Sequence, residues 1–164
     1  MTFLAGTLER SDYVAAAVIV VALPLALWLS ARRRPNAAQA VWIAVLVVVS
    51  VPFGDLQSHT HWAKVAWIPF ISPPVKLADI VANVLLYLPL GYVQAPQTST
   101  RRAILRALLL AAAIALLAEL SQVFSHGRLP SSTDVVCDCA GAMIGALLKH
   151  RQSSVTGVQS NSRG

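Results

Sequence analysis

Chemistry in this chain concentrates between Glu119 and Asp138. Three carboxylates (Glu119, Asp134, Asp138), the amide of Gln122 and the guanidinium of Arg128 fall in that window, between long runs of Ala, Leu, Ile and Val. Ionisable groups at the edge of hydrocarbon are costly unless they are paired or face a wet cavity, so they are read first as a site. Glu119 and Asp138, embedded in apolar sequence, are the candidates for general acid or base. Several carboxylates sharing one pocket cannot all be ionised cheaply. Arg128 is the cation in the window, and its fork suits a carboxylate or a phosphate bidentately.

Spacing extends the set to a third segment. Asp79 and Asn83 are four apart and share one helix face, Glu119 and Gln122 are three apart, and Asp134 and Asp138 are four apart. Asp79, Asn83, Gln122, Arg128 and Asp134 are therefore expected to bind a substrate around Glu119 and Asp138. A purely structural role explains some of them as well. Asn83 and Gln122 suit interhelical hydrogen bonds, and Asp79 and Asp134 suit helix starts. Glu119 and Asp138 are the hardest to explain that way.

The elements that must carry these groups follow from composition. Of 164 residues, 56% are apolar and 12% charged, against about a quarter charged in ordinary soluble domains. The expected fold class is all-α, a polytopic transmembrane bundle of about five helices. Apolar runs predict helices at about 12–31, 37–53, 77–95, 103–124 and 134–149, with an outer segment before them and a disordered tail over 150–164. Gly141 and Gly145 form a small-xxx-small stripe that allows close helix approach. The short link after Phe124 makes the last two helices antiparallel neighbours.

The basic residues exclude nucleic acid as a partner, because they cluster between apolar runs and orient helices instead. With the N-terminus outside, nine of the 13 Lys and Arg fall inside: Arg32–Arg34, Arg101, Arg102, Arg106, Lys149, Arg151 and Arg163. The acids then lie on the outer side, giving an N-out, C-in chain of a plasma membrane.

The outer loop carries His59-Thr60-His61, a weak metal signal without further ligands at set spacing, so no metal and no cofactor are expected. Its Trp residues suit the headgroup level. Cys137 and Cys139 are two apart and point to different sides of a helix, which argues against a disulfide between them.

The pattern Ile68-Pro69-Phe70, Asp79-x3-Asn83-x3-Tyr87-Leu88-Pro89-Leu90-Gly91, Glu119-x2-Gln122, Arg128, Ser132, Asp134 and Gly141-Ala142-x2-Gly145 resembles the VanZ-like family of bacterial membrane proteins. The match covers about residues 68–148, and the order of its elements is more specific than any one of them. Asp138 departs from it, since the family usually has Asn there. The resemblance implies an integral membrane protein of the bacterial inner membrane, with a founding member linked to reduced sensitivity to the glycopeptide teicoplanin, and it implies no mechanism.

The expected function is binding or modification of an envelope lipid or lipid-linked glycan precursor at an outward-facing acidic site, with the bilayer itself as a partner. A small proton-coupled transporter and an accessory subunit of an envelope complex are the alternatives. Neither an enzymatic reaction nor an oligomeric state follows from the sequence.

Overall fold

The computed structural model describes residues 10–71, 76–94 and 99–161, with side chains described over 16–71, 76–94 and 99–153. Five helices make up the fold: α1 (Arg10–Ala31), α2 (Pro35–Ser50), α3 (Leu77–Tyr92), α4 (Thr100–Gln122) and α5 (Ser132–Asn161). Among the described residues the loop over 51–71 adds one 3-10 turn, Trp62–Lys64, and no strand forms.

Local chemistry sets the helix ends. Pro35 opens α2 at a position where its missing N–H is no loss. Arg33, at φ 59°, makes the sharp turn before it. α2 stops at Ser50, short of the expected Phe53, because Pro52 follows and the residue before a proline is driven out of helical geometry. Ser99 caps α4 by accepting from the Arg102 amide at 3.3 Å. The expected outer segment and third-helix end fall partly on residues 1–9 and Ala95, outside the described residues.

The last helix corrects one expectation. The stretch after Lys149 continues α5 to Asn161 instead of breaking into coil. His150-Arg151-Gln152 contains no helix breaker, and this turn has partners: Tyr92 Oη lies 2.7 Å from Gln152 Oε1, and Thr100 Oγ1 lies 3.3 Å from the His150 ring. Residues 162–164 lie outside the described residues.

α5 packs most extensively on α3, then on α4, while α1 pairs with α2. The α3–α5 seam depends on absent side chains. A Cβ on Gly91 would collide with the Ala142 carbonyl, one on Gly141 with the Val84 carbonyl, and one on Gly145 with the Leu88 carbonyl. Glycine lets the two backbones meet directly, as the small-residue stripe of Gly141 and Gly145 implied. Trp42 ties α2 to this pair by donating Nε1–H to the Leu86 carbonyl at 2.9 Å.

α4 is patterned inside out relative to a soluble helix. Its buried face is Ala103, Ala107, Ala111, Ala115 and Ala118, ending in Gln122. Its large apolar side chains point outward, with Leu109 64% and Leu117 67% exposed. α4 is the one described helix that is both long and apolar enough to cross a membrane; Ala16–Ala31, Pro35–Ser50 and Leu77–Tyr92 are shorter apolar helices.

Candidate functional site

The α3–α5 seam brings Asp138 against Tyr87. Asp138 is 6% exposed and Tyr87 1%. Asp138 Oδ1 and Tyr87 Oη are both buried without a hydrogen-bond partner at normal distances, although the two side chains lie close enough to interact. Leaving such groups unsatisfied costs about 1–3 kcal/mol each, more for a charge. An apolar pair of similar shape would avoid that penalty, so packing alone does not account for them.

The other predicted residues surround this pair unequally. Glu119, in the last turn of α4, accepts the backbone N–H of Ser131 and lies within electrostatic reach of Asp134, Arg128 and Asp138. Asp134, in the first turn of α5, lies beside Asn83 and within reach of Asp79. Asp79 itself is exposed at the start of α3. Arg128 is exposed on the α4–α5 turn, at electrostatic range of Glu119 and Asp134. Gln122 donates to the Ser50 carbonyl of α2 at 3.4 Å. Acids from α4 and α5 thus share one region, with Asn83 of α3 beside them, Asp79 and Arg128 at its rim, and Gln122 on the side facing α2.

Tyr87 and Ser50 belong to this region and were not among the predicted site residues. Tyr87 had a signal, because it lies four after Asn83 and eight after Asp79 on one helical face. Ser50, near the Tyr87 hydroxyl, had none. Its approach depends on how α2 packs.

A second polar cluster lies at the α4–α5 turn. The loop over 51–71 lies across the α4–α5 turn: Gln57 N donates to Phe124 O at 2.7 Å, His61 N to Val123 O at 2.8 Å, and Ala66 N to Pro130 O at 2.9 Å. Asp55 anchors the turn, accepting from Ser125 Oγ and from Gly127 N at 2.8 Å. Those donors, Ser125 first, hold its carboxyl down at about 2. Phe70, at φ 63°, is an uncommon conformation for a bulky residue. It is supported where its amide donates to Thr133 Oγ1 at 2.9 Å. Trp62 and Trp67 stack with centroids 6.2 Å apart and remain largely exposed.

The sequence model of the VanZ/LLP1 family matches residues 13–151, most of the chain. The protein belongs to the VanZ/LLP1 family. That match takes in all five helices in whole or large part and every residue of both polar clusters. Neither a curated protein nor a solved structure matches the chain. Membership of the VanZ/LLP1 family, together with the long apolar α4, points to a membrane protein. Cys137 and Cys139 are both free thiols.

Proposed function

We propose that this VanZ/LLP1 protein is a multi-pass protein of the bacterial inner membrane that binds the polar headgroup of an envelope lipid or lipid-linked glycan. The observation that carries the reading is the buried, unsatisfied pair of Asp138 and Tyr87 on a glycine-packed seam, with Glu119 nearby. Ionisable groups within transmembrane helices belong to pathways or sites more often than to packing. A carboxylate accepts from sugar hydroxyls, a tyrosine donates, and Arg128 at the rim offers its fork to a phosphate.

The topology that fits is N-terminus outside and C-terminus inside. It keeps the Arg32–Arg34 and Arg101–Arg106 turns in the cytoplasm and puts the acids on the outer side. The outward-facing leucines of α4 then meet lipid, while its alanines meet protein. Single-cysteine variants at positions 33 and 101 should resist impermeant thiol reagents in intact cells; labelling there from outside would reject the orientation.

The binding reading is tested on the purified chain by native mass spectrometry with a polyprenyl-phosphate-linked sugar. Phosphatidylglycerol serves as the control without a sugar. Glu119→Gln and Asp138→Leu should lose the glycolipid adduct and keep the control. Glycopeptide susceptibility of cells carrying the same variants provides the second readout. Adducts of equal intensity in wild type and both variants would reject the site.

A further inference from the structure

Three histidines remote in sequence meet at the outer end of α4. His59 and His61 come from the loop over 51–71 and His126 from the α4–α5 turn. His59 Nε2 lies 3.2 Å from His126 Nε2, and one ligand atom from each of the three rings falls within 4.8 Å of the others. Ring centroids are 4.5–5.0 Å apart. With zinc–nitrogen bonds of about 2.0–2.1 Å, tetrahedral neighbours stand about 3.3–3.4 Å apart. The His59–His126 pair already has that spacing. Bringing His61 to it takes a movement of at most about 1.5 Å, and the rings of His59 and His126 are exposed and free to turn.

The surroundings fix the His61 ring and the backbone around His126. His61 Nδ1 is 3.3 Å from the Val123 carbonyl. Donating its proton there leaves Nε2 as the free lone pair, the arrangement by which metal-bound histidines are usually oriented. The His61 amide is fixed on the same carbonyl at 2.8 Å. Asp55 grips the residues on both sides of His126, Ser125 and Gly127. A proton shared between His59 and His126 explains two of the rings, but not why the third ring lies 4.7 Å and 4.5 Å from them.

We propose that His59, His61 and His126 bind a single divalent d-block cation, zinc by ligand type, with a fourth position open to the outer solvent. Imidazole donors suit zinc, copper and nickel. Three protein nitrogens with one open position is the set in which zinc holds a water or an incoming anionic group. The site stands independently of the buried Asp138–Tyr87 pair, so its failure leaves the headgroup reading untouched.

The test uses the full chain in detergent, freed of any affinity tag, stripped with chelator and titrated with Co²⁺. Wild type should take up one equivalent with the visible d–d absorption of low-coordinate cobalt, and Zn²⁺ should displace it. His59→Ala, His126→Ala and the more conservative His126→Gln should each weaken uptake at least about tenfold. Both positions are exposed, so size-exclusion profiles should not change. A Cys137→Ser/Cys139→Ser double variant should bind as wild type does. Absence of one-to-one uptake by wild type, uptake unaffected by the histidine changes, or uptake lost in the cysteine variant would each overturn the proposal.

Discussion

Two aspartates divide this molecule into a finished region and an unfinished one. Asp55, on the loop over 51–71, accepts from a serine hydroxyl and a backbone amide and secures the α4–α5 turn. Asp138, on α5, is more deeply buried, and its Oδ1 has no hydrogen-bond partner. The same side chain is satisfied where solvent would have served it anyway and unsatisfied where no solvent is at hand. A carboxylate whose donors are all protein groups has a structural task. One left unsatisfied inside a packed seam is stabilised only when something else supplies the donors.

The largest effect should come from deleting the unsatisfied acid. Asp138→Leu removes a buried polar group without breaking a hydrogen bond to Oδ1, so thermal stability in detergent should hold or rise while glycolipid binding is lost. A fall in melting temperature would make Asp138 a structural residue like Asp55 and dissolve the contrast. Asp138→Asn sharpens it further. The amide keeps hydrogen bonding but cannot carry a proton to or from a ligand, so retained binding would limit Asp138 to recognition.

Next is the seam that positions Asp138. Gly145→Leu places a side chain against the Leu88 carbonyl and must push α3 from α5. Overpacking of this kind costs about 1–3 kcal/mol. Melting temperature and glycolipid binding should fall together, whereas the loop over 51–71, held by Asp55, should keep its wild-type amide exchange. Loss of loop protection in Gly145→Leu would mean that the two regions are one cooperative unit.

Arg128 should give a smaller and more selective effect. If its fork grips an anionic group of the ligand, Arg128→Lys accumulates normally in the membrane but loses the envelope phenotype, because lysine supplies charge without the fork. Arg128→Ala should also accumulate, since an exposed cation on a turn contributes little to stability. Full phenotype in the Lys variant would end the fork and leave Arg128 as a counter-charge for Glu119 and Asp134.

The smallest effect is a pH dependence confined to the loop over 51–71. Asp55 has its folded-state value lowered to about 2, from about 3.9 in an unfolded chain. Its contribution is therefore fully present above about pH 4 and lost as pH falls through about 2. Amide exchange at Gln57 and His61, corrected for the intrinsic pH dependence, should speed up across that window in wild type. In Asp55→Asn exchange should be faster at neutral pH and lack this transition. The same transition in Asp55→Asn would assign it to another group.

Much of this protein was legible without coordinates, because the signals are short-range. Helix content follows from apolar runs and from prolines and caps at their ends, which act within a turn. Gly141 and Gly145 announced a close helix approach through spacing alone. Asp79, Asn83, Glu119, Asp134 and Asp138 stood out because polar and charged groups within apolar sequence have few explanations. The extension of α5 to Asn161 was not legible, since polar residues without a hydrophobic stripe read as coil until partners such as Tyr92 and Thr100 are known.

Tertiary structure alone decided which polar groups meet. Tyr87 comes to lie against Asp138 only because glycine contacts bring α3 and α5 together. Gln122 meets Ser50 because α2 packs on that side. His126 joins His59 and His61 across more than sixty intervening residues, and Asp55 reaches Ser125 across as many. Sequence spacing encodes which side chains share a helix face, since the helical repeat is fixed by the backbone. It carries no record of which faces of different helices, or which loop and turn, come into contact. That depends on packing of the whole chain.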